Sequence, residues 1–315
     1  MITDNITFLI LILLGTIHGA IIVAFIYFIF KKIKRRQLVI QEMLQNQIIK
    51  TEFPNLKLYN TEETLDKIKQ IILNKKKGAY LRFGDGDILL AHGIKDLYQI
   101  PNLELQSEMQ ETLQLNDTNI LKTLPLQCPE LKSLEKGMYP GNGSRPYERC
   151  FELLTKARPF WGEVTDVYSP MALIFAATSR VSECINFLKF LKQSNCAILI
   201  GNKNIPQELI ELLFGKNCHF IPTPSSNSYS SINQIEIAAI QNLNKNNDYK
   251  IVVISMGCSG RPLAKRLWKK VDNIFIFDFG SLMDALCGQD TRYWHKHMDF
   301  NYFKKFREQL KKELC

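Results

Sequence analysis

The sequence predicts an α/β protein: a Rossmann-like parallel sheet flanked by helices and preceded by a single transmembrane helix. Three observations carry this. Short apolar runs alternate with amphipathic stretches through the C-terminal half, each run ends in a turn rich in glycine, serine or aspartate, and residues 8–30 hold no charged side chain. Strands alternating with helices at this spacing form βαβ units with right-handed crossovers, which require a parallel sheet.

The apolar run comes first. About 23 residues at roughly 1.5 Å each span roughly 34 Å, enough for a bilayer core. A signal peptide carries its cations ahead of its apolar stretch; here Asp4 precedes it and Lys31, Lys32, Lys34, Arg35 and Arg36 follow. That order favours an anchor with the rest of the chain on the cytoplasmic side. Eight cysteines without a CxxC pair suit a reducing compartment and argue against zinc. The net charge of +9 is gathered in the block after the anchor and in the C-terminal tail. Without a basic stripe interleaved with aromatics it points to a membrane partner and away from nucleic acid.

Four segments follow: the anchor with its basic flank (1–36), a stalk (37–60), a catalytic domain (61–300) and a basic amphipathic helix (301–315). Thr61-Glu62-Glu63-Thr64 opens a helix that turns Leu65, Ile68, Ile71 and Ile72 to one face. Ala79–Phe83 reads as the first strand. Leu103–Leu115 and Tyr147–Ala157 read as helices around a loop at 138–146, in which Arg145, with Arg149 just beyond, serves either a surface salt bridge, the commoner role of a loop arginine, or a phosphate. Phe160 and Trp161 serve either a core or a stacked base. Strands are expected at Ala197–Ile200, His219–Ile221, Ile251–Ile254 and Ile274–Phe277, with helices at Pro206–Phe214, Ile232–Asn242 and Pro262–Lys270. In the tail, Phe303, Phe306, Leu310 and Leu314 fall near helical spacing among lysines. That stripe suits a membrane surface or a helix packed on the domain.

Polar and glycine-rich loops follow five strands: 82–87, 201–204, 222–227, 255–261 and 278–284. In an open parallel sheet they emerge together at the carboxyl edge, where ligands bind. Gly257-Cys258-Ser259-Gly260 opens a helix and could present backbone N–H groups to a phosphate; it matches neither Walker A nor GxGxxG. The first loop, Arg82-Phe83-Gly84-Asp85-Gly86-Asp87, is the most informative. Two carboxylates one residue apart can reach one hard cation such as Mg²⁺ or Mn²⁺, and Gly84 and Gly86 would leave room for a bulky ligand. The same Asp-Gly pattern also makes a hairpin turn.

Arg82–Asp87, the Gly257–Gly260 loop and Asp278-Phe279-Gly280-Ser281 together resemble the GT-D type glycosyltransferases over roughly residues 60 to 295. The resemblance implies a Rossmann-like enzyme that holds a divalent metal and a nucleotide-sugar with an Asp-x-Glu motif. Asp85 matches the family's aspartate, and Asp87 stands where the family usually has glutamate. It implies transfer of a sugar from a nucleotide diphosphate-sugar to a glycan, lipid-linked or protein-linked acceptor, with Mn²⁺ or Mg²⁺ on Asp85 and Asp87. Arg82, Gly84, Gly86, Gly201, Asn227, Gly257, Ser259, Gly260, Arg261, Asp278, Ser281 and Arg292 are the expected substrate-binding residues. Asp284 and Asp278 are the candidates for the base. His295 and His297 are read as surface residues. Two other classes fit the pattern less closely. A methyltransferase would use Gly84–Gly86 as a degenerate cofactor loop, and a silent membrane scaffold would use the five loops as plain connectors.

Overall fold

The computed structural model describes residues 55–124, 147–161, 165–245, 247–289, 291 and 301–314, with helical positions between 15 and 51. The strands are β1 (Lys57–Leu58), β2 (Gly78–Arg82), β3 (Ile120–Thr123), β4 (Asp166–Val167), β5 (Cys196–Asn202), β6 (His219–Thr223), β7 (Lys250–Ser255) and β8 (Ile274–Asp278). Six of them make one sheet in the order β3-β2-β8-β7-β5-β6, with every pairing parallel. β1 and β4 form a small parallel pair that adjoins β3 through a bridge between Thr123 and Tyr168.

Because the central strands β2, β8, β7 and β5 are covered on both sides, they are mostly apolar, and alternation decides which core each residue joins. Tyr80, Leu199, Ile251, Val253, Phe275 and Phe277 face one core, closed by helices Thr61–Leu73, Ala172–Ser179, Val181–Gln193, Gln207–Phe214 and Tyr302–Leu314. Ala79, Leu81, Ile198, Ile200, Val252, Ile254 and Ile276 face the other, closed by Asp85–Ala91, Leu103–Gln114, Tyr147–Trp161, Ile232–Leu243 and Gly260–Lys270. The all-aromatic contact of Tyr80 with Phe277, 5.5 Å between centroids, ties β2 to β8.

Local chemistry explains the element ends. Helix Thr61–Leu73 starts one residue after Asn60, whose Oδ1 accepts the Glu63 N–H at 3.0 Å while Glu63 Oε2 accepts the Asn60 N–H at 2.9 Å. This reciprocal pair satisfies two donors that the first turn leaves over. Leu65, Ile68, Ile71 and Ile72 are buried, as their spacing requires. Besides the two expected helices, the segment between residues 101 and 180 holds β3 and β4. β3 has only four residues, and one of its central positions is Lys122, which breaks the apolar run. Lys122 is nevertheless buried, its Nζ donating to Leu113 O at 2.7 Å and Trp161 O at 3.3 Å. Trp161 lies in the core, and Phe160 packs edge-on against His92, so these rings are structural.

The C-terminal helix is held to the domain. Phe306, Leu310 and Leu314 are buried, Tyr302 Oη donates to Ala177 O at 2.6 Å, and Lys192 Nζ to Leu314 O at 2.7 Å. Its apolar stripe is thus taken up by protein, and only its basic side faces outward. Among the described residues no helix is long and apolar enough to cross a membrane. Positions 18–33 are helical, with Ile21, Val23, Phe25, Tyr27 and Phe30 exposed; residues 1–14, 17, 34 and 35 of the expected anchor lie outside the described set.

Candidate active site

The chain leaves β2 and β7 over one face of the sheet, into helices Asp85–Ala91 and Gly260–Lys270. It leaves β8, which lies between them, over the other face into helix Leu282–Leu286. Neighbouring strand ends that part in this way open a crevice at the carboxyl edge. Asp278 ends β8 inside that crevice, with the Asp85–Asp87 turn and the Gly257–Arg261 turn on either side.

Gly84 enters the first helix from an extended backbone, and Asp87 Oδ2 accepts the Gly84 N–H at 2.7 Å. Asp87 therefore caps the turn that carries the motif. It is 2% exposed. Its Oδ1 makes no hydrogen bond and lies 3.4 Å from Arg261 Nε. Burial pushes the Asp87 carboxyl above its ordinary value, against the downward pull of Arg261 and the Gly84 N–H. The sequence reads Asp85 and Asp87 as a pair reaching one cation; in the structure the two differ in exposure. Asp85 is half-exposed, whereas Asp87 is turned inward because a carboxylate at the third helical position reaches back to the cap.

Arg261 draws the three strand ends together. Its Nη1 lies 3.0 Å from Asp278 Oδ2 and donates to Gly257 O at 2.8 Å, while Nε donates to Arg82 O at 2.5 Å. Burial opposes its charge, but Asp278 and Asp87 outweigh that and raise its pKa. Asp278 Oδ2 also accepts the Arg82 N–H at 3.3 Å. The Arg82 side chain turns to the opposite face of the sheet, donating from Nε to Pro170 O at 2.6 Å and approaching Phe279 O at 3.5 Å. Gly280 sits at φ +63°, and a Cβ there would fall on the Arg82 guanidinium. Only glycine suits both the left-handed backbone and that approach.

Several expected ligand contacts are instead packing. Ser259 is fully buried, with Oγ 2.5 Å from Ser228 Oγ. A Cβ on Gly260 would press on Ile254 at 2.8 Å, and one on Gly201 on Ile205 at 2.8 Å; both glycines let elements close up. Gly257, exposed at φ +67° with open space beside it, is the glycine of that loop that faces outward. Asn227 is also at positive φ and is engaged by a neighbouring segment. Ser281 is half-exposed at the start of helix Leu282–Leu286. Asp284 Oδ2 accepts from Thr291 Oγ1 at 2.7 Å, so its carboxylate is already engaged. Arg292, with Arg145, His295 and His297, lies outside the described residues.

The sequence reading missed residues 92–100, which cross the crevice. Tyr98 Oη donates to Thr291 O at 2.9 Å, Tyr98 O accepts the Asn227 N–H at 2.7 Å, and Gln99 Nε2 donates to Asn227 Oδ1 at 2.8 Å. Asp96 reaches Gly86 and Cys258. The available signal was an aliphatic residue at every third position, Ile94, Leu97 and Ile100, all exposed, with polar Lys95, Asp96, Tyr98 and Gln99 between them. Among the described residues of the crevice acidic side chains outnumber basic ones, which suits a cation or a cation-bearing ligand. Among the described residues no cluster of three His, Cys, Asp or Glu side chains could hold a metal ion by itself.

Solved structures share this architecture. One is described as a selenomethionine-substituted domain of unknown function 1792, with a TM-score of 0.55 at 18% identity, covering 84% of this chain and 86% of that one. A second, a new glycosyltransferase of the same domain from Streptococcus sanguinis, gives 0.55 at 17% identity over 73% and 82%. A third, described as that domain with a distinct glycosyltransferase fold, gives 0.54 at 17% identity over 85% and 86%. At such identities the likeness is one of fold. No curated protein matches the chain. The family model for the glycosyltransferase GT-D fold matches residues 80–284, from β2 through Asp284 and so across every strand end that forms the crevice; the chain belongs to the GT-D fold glycosyltransferases.

Proposed function

We propose that this enzyme is a membrane-anchored transferase that moves a sugar from a nucleotide diphosphate-sugar to a glycan, lipid-linked or protein-linked acceptor. The observation that carries the reading is the meeting of Asp87, Asp278 and Arg261 at the ends of β2, β7 and β8, with Asp85 on the turn that carries Asp87, within the family-matched segment. The Gly257 turn and Arg261 bound the space for the diphosphate. Asp87 and Asp278 hold Arg261 in place, and Asp87 fixes the turn that presents Asp85.

A divalent Mn²⁺ or Mg²⁺ would be held in this crevice through Asp85, a hard oxygen ligand on a half-exposed residue whose Oδ1 is buried. Asp87 supports the site from behind, its oxygens facing Gly84 N–H and Arg261. When bound, the cation would neutralise the leaving diphosphate as a Lewis acid. The uncharged run at 8–30 with its basic flank supports an anchor whose catalytic domain lies on the cytoplasmic side.

Thermal denaturation of the full chain in detergent tests the reading, with nucleotide-sugars added with and without Mn²⁺ or Mg²⁺. A ligand that binds only the folded state raises its apparent stability. A rise with at least one nucleotide-sugar, larger with metal, is expected; a flat response across UDP-, GDP-, ADP-, CDP- and dTDP-sugars overturns it.

A further inference from the structure

Asp96 belongs to none of the motifs singled out above, yet its carboxylate lies against the backbone of Gly86. A Cβ at position 86 would come 2.5 Å from Asp96 Oδ1 and 3.0 Å from Cys258 Sγ. The glycine between the two motif aspartates therefore admits a third carboxylate, placed between the turn after β2 and the turn after β7. Among the described residues, Asp96 Oδ2 accepts only weak donors, the Tyr98 N–H at 3.3 Å and the Cys258 thiol at 3.6 Å. The segment carrying it is fixed on both sides of the crevice, through Tyr98 to Thr291 and through Gln99 to Asn227.

Its acidic neighbours are otherwise employed. Asp87 and Asp278 face Arg261, and Asp284 accepts from Thr291. A general base needs a positioned carboxylate with an oxygen able to take a proton and room for the hydroxyl beside it. Asp96 is half-exposed, held in place and, among the described residues, only weakly hydrogen-bonded. Resting on the glycosyl-transfer reading above, we propose that Asp96 is the catalytic base that deprotonates the attacking hydroxyl. The hydroxyl oxygen bonds to the anomeric carbon as the bond from that carbon to the diphosphate oxygen breaks. The electron pair of the broken bond leaves with the diphosphate, and the hydroxyl proton passes to the Asp96 carboxylate. The same placement could instead make Asp96 a plug in an anion site. Such a site would offer it short backbone N–H bonds, and the bonds it has are long.

The test uses the full chain in detergent with UDP-glucose, UDP-N-acetylglucosamine, GDP-mannose and dTDP-glucose. Donor affinity is measured by calorimetry, and turnover as release of nucleoside diphosphate with water as acceptor. For any donor that binds, Asp96→Asn should keep its affinity within about threefold while turnover falls by about 100-fold or more. It should also lose the acidic limb of the pH–rate profile, and Asp96→Glu should restore part of the rate. Retained affinity also shows that the variant folds. Wild-type turnover in Asp96→Asn overturns the proposal. So does donor affinity changed more than about tenfold: tighter binding identifies a plug, weaker binding a donor contact. If neither these donors nor the ADP- and CDP-sugars bind the wild-type chain, the glycosyl-transfer reading itself fails, and the base assignment falls with it.

Discussion

Arg261 Nη1 lies 3.0 Å from Asp278 Oδ2, so a helix that begins after β7 is pinned to the last residue of β8 by one buried ion pair. The guanidinium also faces Asp87, and two buried carboxylates thus share a single counter-charge. Replacing Arg261 by methionine would leave both carboxylates buried without it. A cost of about 3–5 kcal/mol is expected, read from urea unfolding, with Arg261→Lys recovering only part because one ammonium cannot fork between two carboxylates. A loss below about 1 kcal/mol in Arg261→Met would show that water already compensates the pair.

Asp85 and Asp87 should separate by function and stability. Asp85→Asn is expected to leave stability within about 0.5 kcal/mol and to weaken metal-dependent donor binding by at least about tenfold. Asp87→Ala removes the acceptor of the Gly84 N–H and should cost about 1 kcal/mol, whereas Asp87→Asn keeps an oxygen there and should unfold close to wild type. Denaturant midpoints and donor calorimetry, taken together for the three variants, check the division.

Gly280→Ala should be among the most damaging small changes at the crevice. Its left-handed φ of +63° costs a non-glycine residue about 1–2 kcal/mol, and the new Cβ would displace the Arg82 guanidinium. Together at least about 2 kcal/mol of stability should be lost. A variant that melts with the wild type would mean that the turn relaxes freely.

Lys122 gives stability a defined pH dependence. Burial lowers its pKa from 10.5 to about 8. Between those values the unfolded chain holds the proton more tightly than the folded one, so the Lys122 contribution to stability rises with pH across that window. The raised thiol of Cys184 and phenol of Tyr168 act in the opposite sense at alkaline pH, so the measurement is a difference. Wild type should gain on Lys122→Met as pH goes from 8 to 10. A constant gap would show that the lysine stays charged inside.

For the anchor, the expected outcome is that Cys315 resists a membrane-impermeant maleimide in intact cells and reacts after permeabilisation. Labelling of intact cells would place the catalytic domain on the other side of the membrane.

The alternation of apolar runs with glycine-ended turns was enough to locate β2, β5, β6, β7 and β8 and the edge on which their loops meet, because strand and helix periods are local properties of the chain. β3 escaped that reading: Lys122 breaks its pattern, and only the carbonyls of Leu113 and Trp161, brought from two helices, make its burial tolerable. The Asp85-Gly86-Asp87 motif was visible in the sequence. Its division of labour was not, since Asp87 turns inward to Gly84 and to Arg261, a residue far along the chain. Ser259 and Gly260 look like a phosphate loop in sequence and are packing residues in space, because their surroundings come from Ser228 and Ile254. Asp96 carries no motif at all, and its place beside Gly86 and Cys258 exists only once the turns after β2 and β7 have been brought together. Sequence periodicity fixes which residues reach the carboxyl edge; contacts between residues distant in the chain decide which of them remain open to a ligand, since burial and charge pairing are properties of the assembled crevice.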